Sequence, residues 1–265
     1  MLSLLKADFY RMFKSKITIV SLILAIIFPI FVALLYYAIS KMPMEGSPED
    51  IEAVSKMFTA RAMIGSSFSF TNGIGIIIPI FGAIFVSSDL KNGTLRNKIV
   101  IGHDRKSIYL SHLITSIIYF LAIMIIYVSV MALVSCLIFG YGFEVNVKEL
   151  AFVLIIGFAS YIFAATISTL FNILIDSTSV AIILTVACCL GLSLLCVILA
   201  MIEGDKYQGI LYFVPLFANT IMGTTFVTSK LFIEGIISLA LFSAINGDHN
   251  FVIKNITNKY NKKRK

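Results

Sequence analysis

The chain has 265 residues, of which 59% are hydrophobic and 13% charged, with a formal net charge of +7 and a mean hydropathy of +0.98. A soluble domain is roughly 45–50% apolar and about 25% charged, so in water this chain would expose large hydrophobic patches. That excludes an ordinary soluble globular protein and points to an all-α integral membrane protein with lipid as its outer solvent.

The first sixteen residues, MLSLLKADFYRMFKSK, repeat Leu2, Leu5, Phe9 and Met12/Phe13 at helical steps of three to four, with Lys6, Arg11 and Lys14 largely off that face. Such a segment suits an interfacial amphipathic helix over 1–16, its cations against anionic membrane lipid; the alternative is a frayed basic tail that only sets topology. The residues expected at the interface are Lys6, Phe9, Arg11, Phe13 and Lys14. The apolar run at 17–40 is longer than the roughly 7–15 residues of a signal-peptide core. At about 1.5 Å per residue it crosses a hydrocarbon layer about 30 Å thick.

Next comes GSPEDIEAVSKMF, in which Ser47, Pro48 and Asp50 resemble an N-cap, a first-turn proline and a third-position carboxylate. Ile51, Val54 and Phe58 add an apolar stripe, so a short amphipathic helix is expected on the external surface, either capping a path or joining two spans. Further apolar runs follow at 64–88, 108–139, 150–174 and 178–202. None shows the period-two alternation of a barrel strand, so all are read as helices. The run at 64–88 carries Gly73, Gly75, Pro79 and Gly82, which suit close helix packing or a hinge. The region from 209 to 253 offers two apolar pieces, about 210–228 and 231–245, the second cut short by Asn246-Gly247-Asp248-His249-Asn250. A sixth span is placed at 231–250, closing a transmembrane domain over 17–253 before a basic tail at 254–265.

Orientation follows from the cations. Segments 1–16, 89–107 and 248–265 hold 15 of the 21 Lys and Arg, so both termini are expected in the cytoplasm of a multi-pass plasma-membrane protein with six spans. The four cysteines lie in apolar runs without a C-x-x-C pair, and the three histidines are scattered, so no metal site is expected. Glu234 lies in an apolar run, where an ionisable group is either functional or close enough to the interface to meet water. Asp176 is read as a helix cap, and Asn72 and Asn219 as possible bridges between helices. The basic C-terminus is explained by topology and anionic lipid, so nucleic acid is not an expected partner.

The loop SSDLKNGTLRNKIVIGHDRKSIYLSHLI places Leu95 and Ile99 on one face of a short helix, flanked by Lys91, Arg96 and Lys98 and closed by Gly102, with Arg105 at the membrane boundary. A loop that only sets topology needs cations and turns but no buriable stripe, so the surplus suggests docking to a cytoplasmic protein, against a plain basic loop. The same stretch resembles the loop after the second span in bacterial ABC transporter permeases of the type-2, exporter-like superfamily, through Asp89, Leu90, Lys91, Asn92, Gly93, Thr94, Arg96 and Gly102. The basic N-terminal segment and the six-span plan also match; the broken final span departs from the pattern.

The resemblance implies a two-part machine in which a separate cytoplasmic ATPase, carrying ATP and Mg, receives this loop in a groove. A second permease copy or a sister chain would complete it. The chain itself lacks a Walker A loop: in GHDRKS, Arg105 stands where the second glycine belongs. No catalytic motif or cofactor site is expected here, and the cargo would be amphipathic or hydrophobic, such as an antimicrobial peptide or drug. The alternative is a membrane assembly or sensor protein that holds a partner through the same loop without transport.

Overall fold

The computed structural model of the chain describes residues 2–41, 59–68, 77–91, 98, 100–139, 147–175 and 177–203. Seven helices run through them: α1 (Leu2–Lys14), α2 (Lys16–Ser40), α3 (Ala60–Ser66), α4 (Ile77–Lys91), α5 (Arg105–Phe139), α6 (Val147–Leu174) and α7 (Thr178–Glu203). Four of these, α2, α5, α6 and α7, are long and apolar enough to cross a membrane.

Two of these, α2 and α7, bury small residues and turn large apolar ones outward. Along α2 the buried positions are Thr18, Ser21, Ala25, Pro29 and Ala33, at steps of three and four. Ile19, Ile23, Ile26, Ile27, Phe31 and Leu34 point outward, each between 45% and 56% exposed. Along α7, Ala181, Thr185, Cys189 and Ser193 are buried at steps of four, while Ile183, Leu194, Leu195 and Ile198 face out. Between membrane helices the hydrophobic effect gives no reason to hide large apolar groups. On these two helices small residues go inside, where they let the backbones approach, and bulky ones face out, as they would toward lipid. The four long apolar helices, with this ordering on α2 and α7, make the chain a membrane-embedded protein.

Helix α6 packs against α4, α5 and α7, and α5 packs against α1, α2, α3, α4 and α6. Half of the apolar window of α6 is buried, against 22% for α7 and 28% for α2. The core is built from Phe85 and Val86 of α4, Tyr119, Phe120, Met124 and Tyr127 of α5, and Ile156, Tyr161 and Phe163 of α6. Tyr119 joins three helices. Its ring stacks on Phe85 at 4.4 Å, and its hydroxyl donates to Ser21 Oγ at 2.9 Å. Ser21 Oγ in turn donates to the Thr18 carbonyl at 2.8 Å. Gly82 lets α4 approach α5, since a Cβ there would sit 2.0 Å from the buried Phe120 ring. The expectation of close packing thus has a specific form at Gly82, while Gly73 and Gly75 lie outside the described residues.

The run expected as one span at 64–88 contributes two described helices, α3 and α4. Helix α3 ends at Ser66, where the Ser66 and Ser67 hydroxyls donate to the Met63 carbonyl at 3.0 and 2.7 Å beside the Ser67 N–H at 3.0 Å, and a turn follows at Ser67–Phe68. Phe68 then plugs onto α6, edge-on to Phe158 at 5.7 Å. The apolar part of α4, Ile77–Ser88, spans about 18 Å by itself, short of a hydrocarbon layer of about 30 Å. The helix expected at 47–58, the sixth span at 231–250, Asp176, Asn72, Asn219 and the tail at 254–265 lie outside the described residues. At the start of α7, the Ser177 carbonyl accepts the Ala181 N–H at 3.1 Å, which gives Ser177 the N-cap position.

Helix α5, at about 50 Å, is far longer than the membrane core. Its first three turns are lined inward by Ser111, His112, Thr115 and Ser116, all buried, so its polar interior begins at the same end of the bundle as α1.

Candidate coupling site

Helix α1 ends at Lys14, and α2 begins at Lys16 after a single extended residue, Ser15 (φ −70°, ψ 130°). One extended residue turns the chain sharply, so α1 departs from the axis of α2 and lies against α5. The face it presents is Leu4, Asp8 and Met12, buried at steps of four. Phe9 is half-buried against the core, whereas Tyr10 and Phe13 are 61% and 70% exposed. The expected apolar stripe is therefore rotated: Met12 rather than Phe13 faces the bundle, and an aspartate lies at the centre of the buried face. Lys6 and Lys14 are exposed, the latter with Nζ 4.6 Å from the centre of the Tyr10 ring.

Asp8 is 1% exposed, which would be costly for an unpartnered carboxylate. It is not unpartnered. Lys98 Nζ donates to Oδ1 at 2.7 Å and to Oδ2 at 2.8 Å, Ser111 Oγ donates to Oδ2 at 2.7 Å, and Arg11 pairs with Oδ1. Burial pushes the carboxyl pKa up, but Lys98, Ser111 and Arg11 together outweigh it and hold Asp8 below its ordinary value of 3.8. The carboxylate is therefore ionised at neutral pH. It gathers three parts of the chain: α1 itself, the loop after α4 through Lys98, and the start of α5 through Ser111.

Lys98 is held in place from the backbone as well. Gly102 takes the left-handed conformation (φ +93°), and the His103 N–H reaches back to the Lys98 carbonyl at 3.2 Å. This is the six-to-one bond of a Schellman turn, for which glycine is suited because it carries no Cβ. The Asp104 carbonyl then accepts the Ile108 N–H at 3.1 Å, so Asp104 opens α5 as its N-cap. Just before the turn, Val100 and Ile101 are 70% and 74% exposed.

A second polar clamp lies at the far end of α4. Ser87 Oγ donates to Asn172 Oδ1, and Asn172 Nδ2 donates to the Ser168 carbonyl at 2.7 Å, fixing α4 to α6 just before the loop begins. Ser87 and Asn172 are each 3% exposed.

Of the residues expected to dock a partner, Lys98 is turned inward to Asp8, with its side chain 12% exposed, and Gly102 forms the turn. Asp89 and Lys91 belong to α4, and Arg105 opens α5. Asn92, Gly93, Thr94, Leu95, Arg96 and Ile99 lie outside the described residues, as does Glu234. Sequence reasoning missed Asp8, Ser111 and the Ser87–Asn172 pair. One signal was available: Asp8 is the only acidic residue in the first 44, set among cations.

No family model matches the chain, and neither curated proteins nor solved structures give a match.

Proposed function

We propose that this chain is the membrane-spanning permease subunit of an ATP-binding cassette transporter, driven by a separate cytoplasmic ATPase that docks on the loop after the second span. In this reading the chain has six spans with both termini in the cytoplasm of a bacterial cell and pairs with a second permease chain. It exports an amphipathic or hydrophobic cargo. Leu95, Ile99 and Arg96 form the contact with the ATPase, and Lys98 is the anchor that holds the loop to the bundle.

The observation that carries the reading is the fourfold-donated Asp8 carboxylate. A motor pushing on a loop moves the membrane helices only if the loop is tied to them. Asp8 ties Lys98 to α1, and through Ser111 to α5. Helix α1 continues into α2 through the single residue Ser15, so a displacement of the loop reaches both long helices. A loop that served only to set topology would have no use for a buried ion pair with its own network of donors.

The test is affinity purification of the tagged full-length chain from its native host, followed by ATPase activity and transport with Leu95→Asp and Arg96→Glu. The proposal expects an ATPase to co-purify with the wild type and to be lost, or uncoupled, in both variants. Full association and full coupled transport in both would overturn the docking assignment.

A further inference from the structure

A single residue, Ser15, separates α1 from α2, and its φ of −70° is already that of an α-helix; only its ψ of 130° is not. We infer that Ser15 is a one-torsion hinge and that α1 is a strap with two positions, docked against α5 or swung out as a straight continuation of α2. In the second position Asp8 leaves Lys98 and Ser111, so the strap fastens or frees the loop after α4. The inference goes beyond the transporter reading and does not rest on it.

The backbone on either side of Ser15 is prepared for the change. Rotating its ψ from 130° to about −42° joins α1 and α2 into one helix. The Ser15 N–H reaches the Met12 carbonyl and the Ile19 N–H reaches the Ser15 carbonyl, each at 3.3 Å, so the chain keeps helical hydrogen bonding up to the hinge and from it onward. Ser15 occupies the N-cap position of α2, yet its hydroxyl makes no capping bond, so its side chain does not hold the bend. Straightening offers the first N–H groups of α2 the carbonyls of the last turn of α1, the partners that the start of a helix lacks.

The contacts that dock α1 are of a kind that water can replace. Its fully buried residues are Leu4, Asp8 and Met12. Asp8 meets α5 at the Ser111 hydroxyl, and the buried Thr115 stands one turn further along the same face of α5. Toward the loop, a cleft of about 270 Å³ separates α1 from Ile101 and His103, so the two are fastened at Asp8 and Lys98 rather than packed along their length. Arg11, three residues on in the same helix, pairs with Asp8 and travels with it. The carboxylate therefore leaves the bundle with a counter-charge, and Lys98 gains water as the strap lifts, so the swing strands no buried ion.

The experiment uses the full-length chain in lipid nanodiscs, with spin labels placed at Lys6 and Leu34 through non-canonical amino acids so that the native cysteines stay. Both positions are exposed. They lie 28 residues apart, so a straight helix separates them by about 42 Å, and a bend at Ser15 brings them closer. Pulsed electron–electron double resonance on the wild type is expected to be dominated by one shorter distance. Asp8→Asn and Lys98→Met, which break the tie from opposite sides, should each add a second maximum near about 42 Å. Ser15→Ala in the Asp8→Asn background should enlarge that maximum about twofold, because alanine favours helix at the hinge. Ser15→Pro in the same background should remove it, since proline accepts the φ of the bend but in a straight helix clashes with the Arg11 carbonyl. The hinge is overturned if neither tie-breaking variant gives the long distance, if it appears only as a broad spread without that maximum, or if it survives Ser15→Pro.

Discussion

Replacing Asp8 by asparagine preserves the size of the side chain and removes its charge. In the folded protein Lys98, 12% exposed, would then keep an ammonium group with no counter-charge, and Ser111 would face a weaker acceptor. Breaking a buried ion pair from one side costs about 3–5 kcal/mol. Lys98 retains some access to solvent and Arg11 more, at 34%, so the lower end of that range applies, about 3 kcal/mol. As the free energy of local opening, about 3 kcal/mol corresponds to roughly 150-fold in the opening equilibrium. Hydrogen exchange read by mass spectrometry on the full chain in detergent should therefore show peptides covering 3–12 and 98–111 exchanging about 100-fold faster in Asp8→Asn. Peptides from the centre of α6 should be unchanged. Lys98→Met alone should leave the buried carboxylate with Arg11 and Ser111 and cost a similar amount. The double variant Asp8→Asn/Lys98→Met should recover part of the loss, because removing both partners of a buried pair costs less than removing one. Less than a threefold change in Asp8→Asn, or a change spread evenly over α6 and α7, would refute the reasoning.

The same carboxylate sets a pH dependence. Its folded pKa lies below the ordinary 3.8, so its contribution is fully present above that value and is lost only as pH falls through the folded pKa. Docking of α1 should hold steady from pH 7 to about 5 and weaken below about 4, and Asp8→Asn should abolish the acid-dependent component of exchange in α1. Gly82→Ala would force its new methyl into the buried Phe120 ring, now 2.0 Å away. An overpacking cost of about 1–3 kcal/mol is expected as a lower unfolding midpoint, relieved in part by Phe120→Leu. Tyr119→Phe removes the hydrogen bond to Ser21 while Ser21 keeps the Thr18 carbonyl, so the loss should be about 0.6–1.7 kcal/mol, measurable in a double-mutant cycle with Ser21→Ala.

Hydropathy made the long helices legible, because a run of twenty apolar residues has few alternatives to crossing a bilayer. Which face each helix buries was harder to read, since both faces of α2 are apolar. The informative pattern is the spacing of small residues, Thr18, Ser21, Ala25, Pro29 and Ala33, rather than of large ones. In α1 the period alone could not choose between Met12 and Phe13. The choice follows from Asp8, whose partners lie 90 and 103 residues away and leave no mark in the local sequence. Helix α3 ends within an apolar run at two consecutive serines whose hydroxyls both donate to the Met63 carbonyl, a local feature that an average over the run conceals. Gly102 was legible as a terminator for the opposite reason: its role is purely local and depends on its own backbone.

Whether the loop drives the bundle comes down to one comparison. Under the proposed transporter function, the full chain reconstituted with the proposed ATPase would be assayed for cargo moved per ATP hydrolysed in the wild type and in Asp8→Asn. A lever fastened at Asp8 predicts that the variant still binds the ATPase and hydrolyses ATP but moves at least tenfold less cargo per turnover. An unchanged ratio would mean that force, if there is any, enters the membrane helices somewhere else.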